Sequence, residues 1–273
     1  MTVSELHKHF LDRAEWVDQS NTADLLEYGD PGKTVKRIGV GWSACLPNLR
    51  AAANDGCDLF ITHEPSFCEF WNPELRFRES SWGHARADLL EQHGMAMFAL
   101  HDSWDFWPQH GIVDSWAAHL GLTSPPVVRE VYRYQLNPAI ASPVPMLAVH
   151  EVPATTFDKF AAHVSDRVQE FGMHGVMVMG NGEATVRRVA VGGGCGIPSF
   201  ELIGRADVFI QVFDRAFQTI TRIPMVELDA NLIVVEHSVS EMPGMRNLAR
   251  YIGTTFPGIK ASFYCNEPQS RFV

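Results

Sequence analysis

The chain has 273 residues, 46% of them hydrophobic, which is enough apolar surface to bury a full core without disulfide or metal staples. Its 32 acidic residues outnumber 22 basic ones, and the formal charge of -10 argues against a nucleic-acid surface, because binding phosphates needs concentrated Lys and Arg. The partners expected on these grounds are a small-molecule substrate and further copies of the chain itself, with no nucleic acid and no membrane.

The opening stretch MTVSELHKHFLDRAEW alternates charged and apolar residues and lacks the continuous apolar segment of a secretory signal. No later run approaches the length needed to span a bilayer. The first apolar run, VKRIGVGW from Val35, reads as a strand, followed by a helix over Leu46–Asn54 and a second strand in CDLFITH from Cys57. A loop rich in aromatic residues, PSFCEFWNPELRFRES, leads into a helix over Gly83–His93 and a third strand, MAMFALH from Met95. The block SWDFWPQH then precedes a helix over Gly111–Leu120. LGLTSPPVVREVYRYQLNPAIASPVP carries several prolines and little periodicity, so it reads as a crossing between two halves.

The second half repeats the alternation. A helix is expected over Thr155–Glu170, strands in RRVAVGG from Arg187, DVFIQVF from Asp207 and LIVVEH from Leu232, and a helix over Pro243–Ile252. Strands alternating with helices predict an α/β fold with mainly parallel strands. RIGVGWSAC and RVAVGGGCG resemble one another, and each is followed by a D-x-F-I strand, at Asp58–Ile61 and Asp207–Ile210, which hints at a duplicated unit.

Three of the apolar runs, FITHEP, FALHDSWD and VVEHSVSE, end in a histidine: His63, His101 and His237. The carboxyl ends of parallel strands form the edge where ligands collect, so these distant residues are candidates for one site. Spacing adds a carboxylate to each: Glu64 adjacent, Asp105 four residues on and Glu241 four residues on. Imidazole and carboxylate together suit Fe, Mn, Zn or Co, and six groups exceed the needs of one tetrahedral ion. Neighbours on an extended chain point apart, so His63 and Glu64 are expected to serve two ions, and two metals per chain account for all six residues. Singly, each group also has a plain structural use. Ser238 and Glu241 have the spacing of a capping box, and Asp105 is suited to capping a turn.

These residues, with the GCDLFITHEP, HDSWDFWPQHGIVDSWAAHLGL, RRVAVGGGCG and LIVVEHSVSEMPGMRNLARYI segments in that order, give a chain that resembles the NIF-three-like dinuclear metal-centre proteins, also called GTP cyclohydrolase I type 2 homologues. The H-x-x-x-D and H-x-x-x-E pairs of that family match His101/Asp105 and His237/Glu241. Its usual T-H-H-P is here Thr62-His63-Glu64-Pro65, which replaces a neutral nitrogen by an anionic oxygen and favours Mn or Fe(II) over Zn. Glu64 is thus either a ligand or a proton carrier beside the metal. The resemblance implies two interlinked α/β domains with the metal site in the cleft between them, in the short form without an inserted domain, and a toroidal homohexamer. Residues 1–122 with 238–273 are expected to form the first domain, carrying His63, Glu64, His101 and Asp105. Residues 123–237 form the second, with His237/Glu241 at the junction.

Phe67, Phe70, Trp71, Trp104, Phe106 and Trp107 cluster beside these ligands in sequence and suit either a flat substrate or a core and subunit contact. Arg76 and Arg78 are candidates for attracting an anion. The Gly192–Gly196 turn reads as a tight strand-to-helix turn sooner than as an anion cradle, since it lacks the Lys and Ser/Thr of a phosphate loop. The five cysteines, Cys45, Cys57, Cys68, Cys195 and Cys265, are widely spread and form no CxxC pair, which fits a reducing cytoplasm. The expected activity is metal-dependent hydrolysis of a C–N bond in a small cyclic or amide-like substrate, with Glu64 or Glu241 moving the proton. Two other readings of the same residues are a metal-binding or regulatory oligomer without turnover, and a phosphatase drawing on Arg76 and Arg78.

Overall fold

The computed structural model describes residues 1–67, 74, 76–132, 144–193, 204–213, 223 and 226–266. Cys68, Phe70, Trp71 and the Gly194–Gly196 part of the glycine turn, with Cys195, lie outside them. The chain divides into two compact units, one built on Met1–Gly111 and the segment beginning at Gly244, the other on Ile112–Tyr132 and Pro143–Pro243.

The first unit opens with helix α1 (Val3–Leu11), whose start is fixed by a capping box: Thr2 Oγ1 accepts from the Glu5 N–H at 3.2 Å, and Glu5 Oε2 from the Thr2 N–H at 2.8 Å. Its sheet contains β1 (Leu26–Tyr28), β2 (Arg37–Gly41), β3 (Leu59–Thr62), β4 (Ala96–Ala99) and β11 (Lys260–Tyr264), in the order β1-β4-β3-β2-β11. Only β1 runs antiparallel to its neighbour; the other pairings are parallel. Every residue of β3 and β4 is buried, which is why these strands read as unbroken apolar runs and not as alternating ones.

Helices α2 (Leu46–Asn54) and α3 (Ser81–Gln92) belong to this unit, and α2 lies against the sheet through Leu49, Ala52 and Ala53. The sheet accepts α2 and the Phe60 ring because two strand positions have no side chain. A Cβ at Gly39 would sit 2.7 Å from the Phe60 ring and 2.9 Å from Ala52 Cβ, and one at Gly41 2.8 Å from the Phe60 ring. Phe60 is fully buried in this cluster, so Phe60→Ala is expected to lower the unfolding free energy by about 3–5 kcal/mol, measured by urea unfolding.

The second unit carries β5 (Val128–Tyr132), β6 (Val144–Thr156), β7 (Met177–Met179), β8 (Thr185–Gly192), β9 (Val208–Val212) and β10 (Asn231–Val235), in the order β5-β6-β8-β9-β10-β7. Here β8, β9 and β10 are parallel, whereas β5, β6 and β7 join antiparallel at the flanks. The proline-rich segment expected to be a plain crossing therefore contributes β5 and the start of β6. Helix α5 (Ile112–His119) lies against β8, where a Cβ at Gly193 would come within 2.7 Å of Val113, so this glycine serves close packing. Helix α6 (Phe157–Val168) is capped by Thr156 and buries Phe157, Phe160, Ala161, Val164 and Val168, a single helical stripe.

The suspected duplication has a physical counterpart. Asp58 Oδ2 accepts the N–H groups of Lys36 and Arg37, both at 2.9 Å, and Asp207 Oδ2 accepts those of Arg187 and Arg188 at 2.9 and 2.8 Å. In each unit the aspartate just before one strand thus clasps the parallel neighbour where their pairing begins, fixing the registers Ile38↔Leu59 and Val189↔Val208. Burial acts to raise the Asp207 carboxyl pKa, but the two N–H donors and the Arg188 side chain outweigh it and hold the pKa below the usual range. A depressed pKa stabilises the fold above the carboxylate range, and this is lost as pH falls through it. Asp207→Asn should therefore destabilise the protein at neutral pH, with the difference in urea midpoint from wild type narrowing as the pH is lowered through about 4.

Candidate metal centre

Strands β3 and β4 are parallel neighbours with Thr62 paired to Ala99, so their carboxyl ends open on the same sheet edge. His63 follows the first strand directly and His101 follows the second after Leu100. The chain bends sharply past Thr62. The His63 N–H reaches the Gly41 and Trp42 carbonyls, the Glu64 N–H reaches the Trp42 carbonyl at 3.0 Å, and Thr62 Oγ1 donates to the carbonyls of Trp42 and Glu64. The expectation that His63 and Glu64 point apart holds only for extended backbone and fails at this bend. Ligand atoms of His63, Glu64 and His101 all lie within 4.8 Å of one another.

His63 is completely buried, and its Nδ1 donates to the Leu100 carbonyl at 3.2 Å. A carbonyl only accepts, so the neutral ring carries its lone pair on Nε2, which lies 3.4 Å from Asp105 Oδ1. Two electron-pair donors facing one another at this range are stabilised by a cation between them. The His63 and His101 rings stack, with centroids 4.5 Å apart and planes inclined by 15°. Burial disfavours a charged His101, yet the carboxylates of Asp105, Asp102 and Glu64 outweigh it and hold the imidazole pKa well above its ordinary value. The surrounding carboxylates thus favour positive charge at this position. A divalent ion fits this donor set of two imidazoles and two carboxylates.

Asp105 closes the short helix α4 (Asp102–Asp105), its N–H bonded to the His101 carbonyl at 2.9 Å, so its side chain returns to the histidine end as an i,i+4 neighbour. Its Oδ2 lies 3.7 Å from His101 Nδ1. The remaining pair belongs to helix α7 (His237–Thr255), where His237 Nε2 is 2.9 Å from Glu241 Oε1 across one turn. This helix starts at His237, which places Ser238 inside it, so the capping-box alternative is not realised. Ser238 instead donates to Glu236, and Glu241 is buried against His237.

Around His101 lies a set of residues the sequence reading did not identify. Asp24 accepts the His101 N–H and both the N–H and hydroxyl of Ser103. Asp102 Oδ1 lies 2.9 Å from His101 Nδ1, while its Oδ2 accepts the Thr22 hydroxyl at 2.7 Å and the Ala23 N–H at 2.9 Å. Burial, reinforced by neighbouring Asp102, pushes the Asp24 carboxyl up to about 6. Asp102, also buried, is held low by His101, Thr22 and Ala23. The doubled acid of His101-Asp102-Ser103-Trp104-Asp105 was the available signal for Asp102; nothing in the sequence around Asp24 marks it.

The aromatic residues behave differently from a substrate clamp. Phe67 is buried beneath the Arg78 guanidinium, whose Cζ sits 3.9 Å from the ring centroid. Trp104 has no exposed surface and donates to the Gly244 carbonyl at 3.0 Å. Trp107 is buried among Phe10, Trp16, Trp104 and Tyr251. These rings serve the core, and Phe106 is half-buried. Arg78 also donates to the Glu27 carbonyl, and exposed Arg76 pairs with Glu79 at 3.7 Å.

Among the described residues no helix is long and apolar enough to cross a membrane. The chain is 25% identical over 235 residues to a Chlamydia pneumoniae protein named GTP cyclohydrolase 1 type 2 homolog, covering 85% of each. In fold it is similar to a Staphylococcus aureus protein (TM-score 0.75, 17% identity, 100% of this chain and 99% of that one) and to a Bacillus cereus protein described as related to NIF3 (TM-score 0.75, 14% identity, the same coverage). The pattern of the Duf34/NIF3 (NGG1p interacting factor 3) family matches residues 1–269, and the chain belongs to that family.

Proposed function

We propose that this protein is a divalent-metal-dependent hydrolase acting on a C–N bond of a small cyclic or amide-like substrate. The observation that carries the reading is His63 Nε2 facing Asp105 Oδ1 at 3.4 Å, with His101 and Glu64 alongside. The name of the Chlamydia pneumoniae relative, a GTP cyclohydrolase homologue, supports the choice of a cyclic C–N substrate. His63, Glu64, His101 and Asp105 of the first unit, and His237 and Glu241 of the second, are the proposed ligands to two ions per chain drawn from Fe, Mn, Zn and Co.

A bound ion of this kind supplies Lewis-acid polarisation and activation of water near neutral pH. The protein's own task is to orient the donors and move the proton. Glu241 is engaged by His237 Nε2, so it fixes that ring, whereas Glu64 is the half-buried carboxylate suited to take a proton from the attacking water and return it to the leaving nitrogen. Protein stripped by a chelator should be inactive toward cyclic amides and pterin- or purine-like heterocycles, and restored by Mn, Fe(II), Co or Zn. Full turnover without metal would overturn the reading, and elemental analysis giving one ion per chain would reject its two-ion form.

A further inference from the structure

The Thr22–Asp24 segment grips the turn that presents His101 and lies outside the proposed ligand set. Asp24 binds the backbone N–H of His101 and of Ser103, so it sets where the turn lies. The buried Asp102 carboxylate is held from the far side by the Thr22 hydroxyl and the Ala23 N–H, and the Trp16 indole donates to the Asp102 carbonyl at 3.0 Å. With Oδ2 fixed by two donors, Oδ1 has one orientation left, 2.9 Å from His101 Nδ1.

We propose that Asp102, clasped by Thr22 and Ala23, is the positioning residue that gives His101 its metal-binding tautomer. A carboxylate has no proton to donate, so the neutral His101 ring must carry its hydrogen on Nδ1 and its lone pair on Nε2. The contact also fixes the ring plane and makes the imidazole a stronger donor, as carboxylate partners of ligating histidines generally do. The inference rests on His101 being a metal ligand, and the closing experiment separates the two.

Asp102→Asn is the informative change because its shape is preserved. The Ala23 N–H demands an acceptor, so the new amide turns its oxygen toward Ala23 and its NH2 toward His101 Nδ1. The ring is then driven to carry its hydrogen on Nε2, the tautomer that cannot ligate there. Cobalt(II) affinity, measured by chelator competition, should fall by about 10- to 100-fold in Asp102→Asn, and less, in the same direction, in Thr22→Val. The 15N ring signals of His101 in metal-free protein, recorded above its titration range, should move from the Nδ1–H to the Nε2–H pattern in Asp102→Asn, a change that a merely structural role would not produce. If His101→Ala loses cobalt but Asp102→Asn binds it as wild type and keeps the Nδ1–H pattern, the positioning role is overturned while the metal centre stands. If His101→Ala binds cobalt unchanged, the metal reading itself fails. Should Asp102→Asn not fold, Thr22→Val decides by cobalt affinity, with a wild-type affinity counting against the proposal, since the Asp102 carboxylate that remains keeps the Nδ1–H tautomer in either case.

Discussion

Substituting His101 by alanine should reduce bound metal in the purified protein by more than about 100-fold in affinity and remove turnover with it. The magnitude follows from the site's layout. Losing an outer partner of a ligating histidine already costs about 10- to 100-fold, and this change removes the ligand itself. Elemental analysis together with metal-dependent hydrolysis tests the prediction; His101→Ala with wild-type metal content would show that the carboxylates around it serve only the fold. The substitution should leave the core largely intact, because His101 sits at the strand end and Phe60, Phe98 and Trp104 remain packed behind it.

The second large effect concerns Glu64. In Glu64→Gln the side-chain oxygen remains available to a metal while the capacity to take up a proton is lost. Metal content is therefore expected to persist and turnover to fall by about 10²- to 10⁴-fold, the usual contribution of a positioned general base. Metal content and kcat measured on the same preparation separate the two roles left open by the sequence. A parallel loss of both would make Glu64 chiefly a ligand, and unchanged kcat would remove it from the chemistry. The neighbouring His63 is expected to tolerate the change, since its ring is held by the Leu100 carbonyl and its backbone by Gly41 and Trp42, none of which involves the Glu64 side chain.

Much of this architecture follows from local pattern. The near-continuous apolar runs at Leu59–Thr62, Ala96–Ala99, Val208–Val212 and Asn231–Val235 are strands buried on both faces, and burial on both faces favours apolar residues at successive positions. Helix α2 begins and ends where its sequence pattern places it, at Leu46 and Asn54. The i,i+4 spacing of His101/Asp105 and of His237/Glu241 is enough to put each pair on one helical face, and the structure brings each within 3.7 and 2.9 Å. The edge elements were less legible. β1 and β7 have three residues each, β11 is exposed or half-buried everywhere but at Tyr264, and β5 lies in a proline-rich stretch, so none carries a long apolar signal.

By itself the sequence determined which residues are chemically able to hold a metal, and that strand ends would carry them, because strand burial and helical spacing are properties of short stretches of chain. Tertiary structure alone decided how those residues act. It bends the chain after Thr62 so that His63 and Glu64 converge with His101, turns Trp104 and Trp107 into the core and away from a substrate role, and brings Thr22, Ala23 and Asp24 against a turn about 80 residues distant. Such contacts depend on which strands pair and on what donor each buried carboxylate finds nearby, and no local periodicity encodes either.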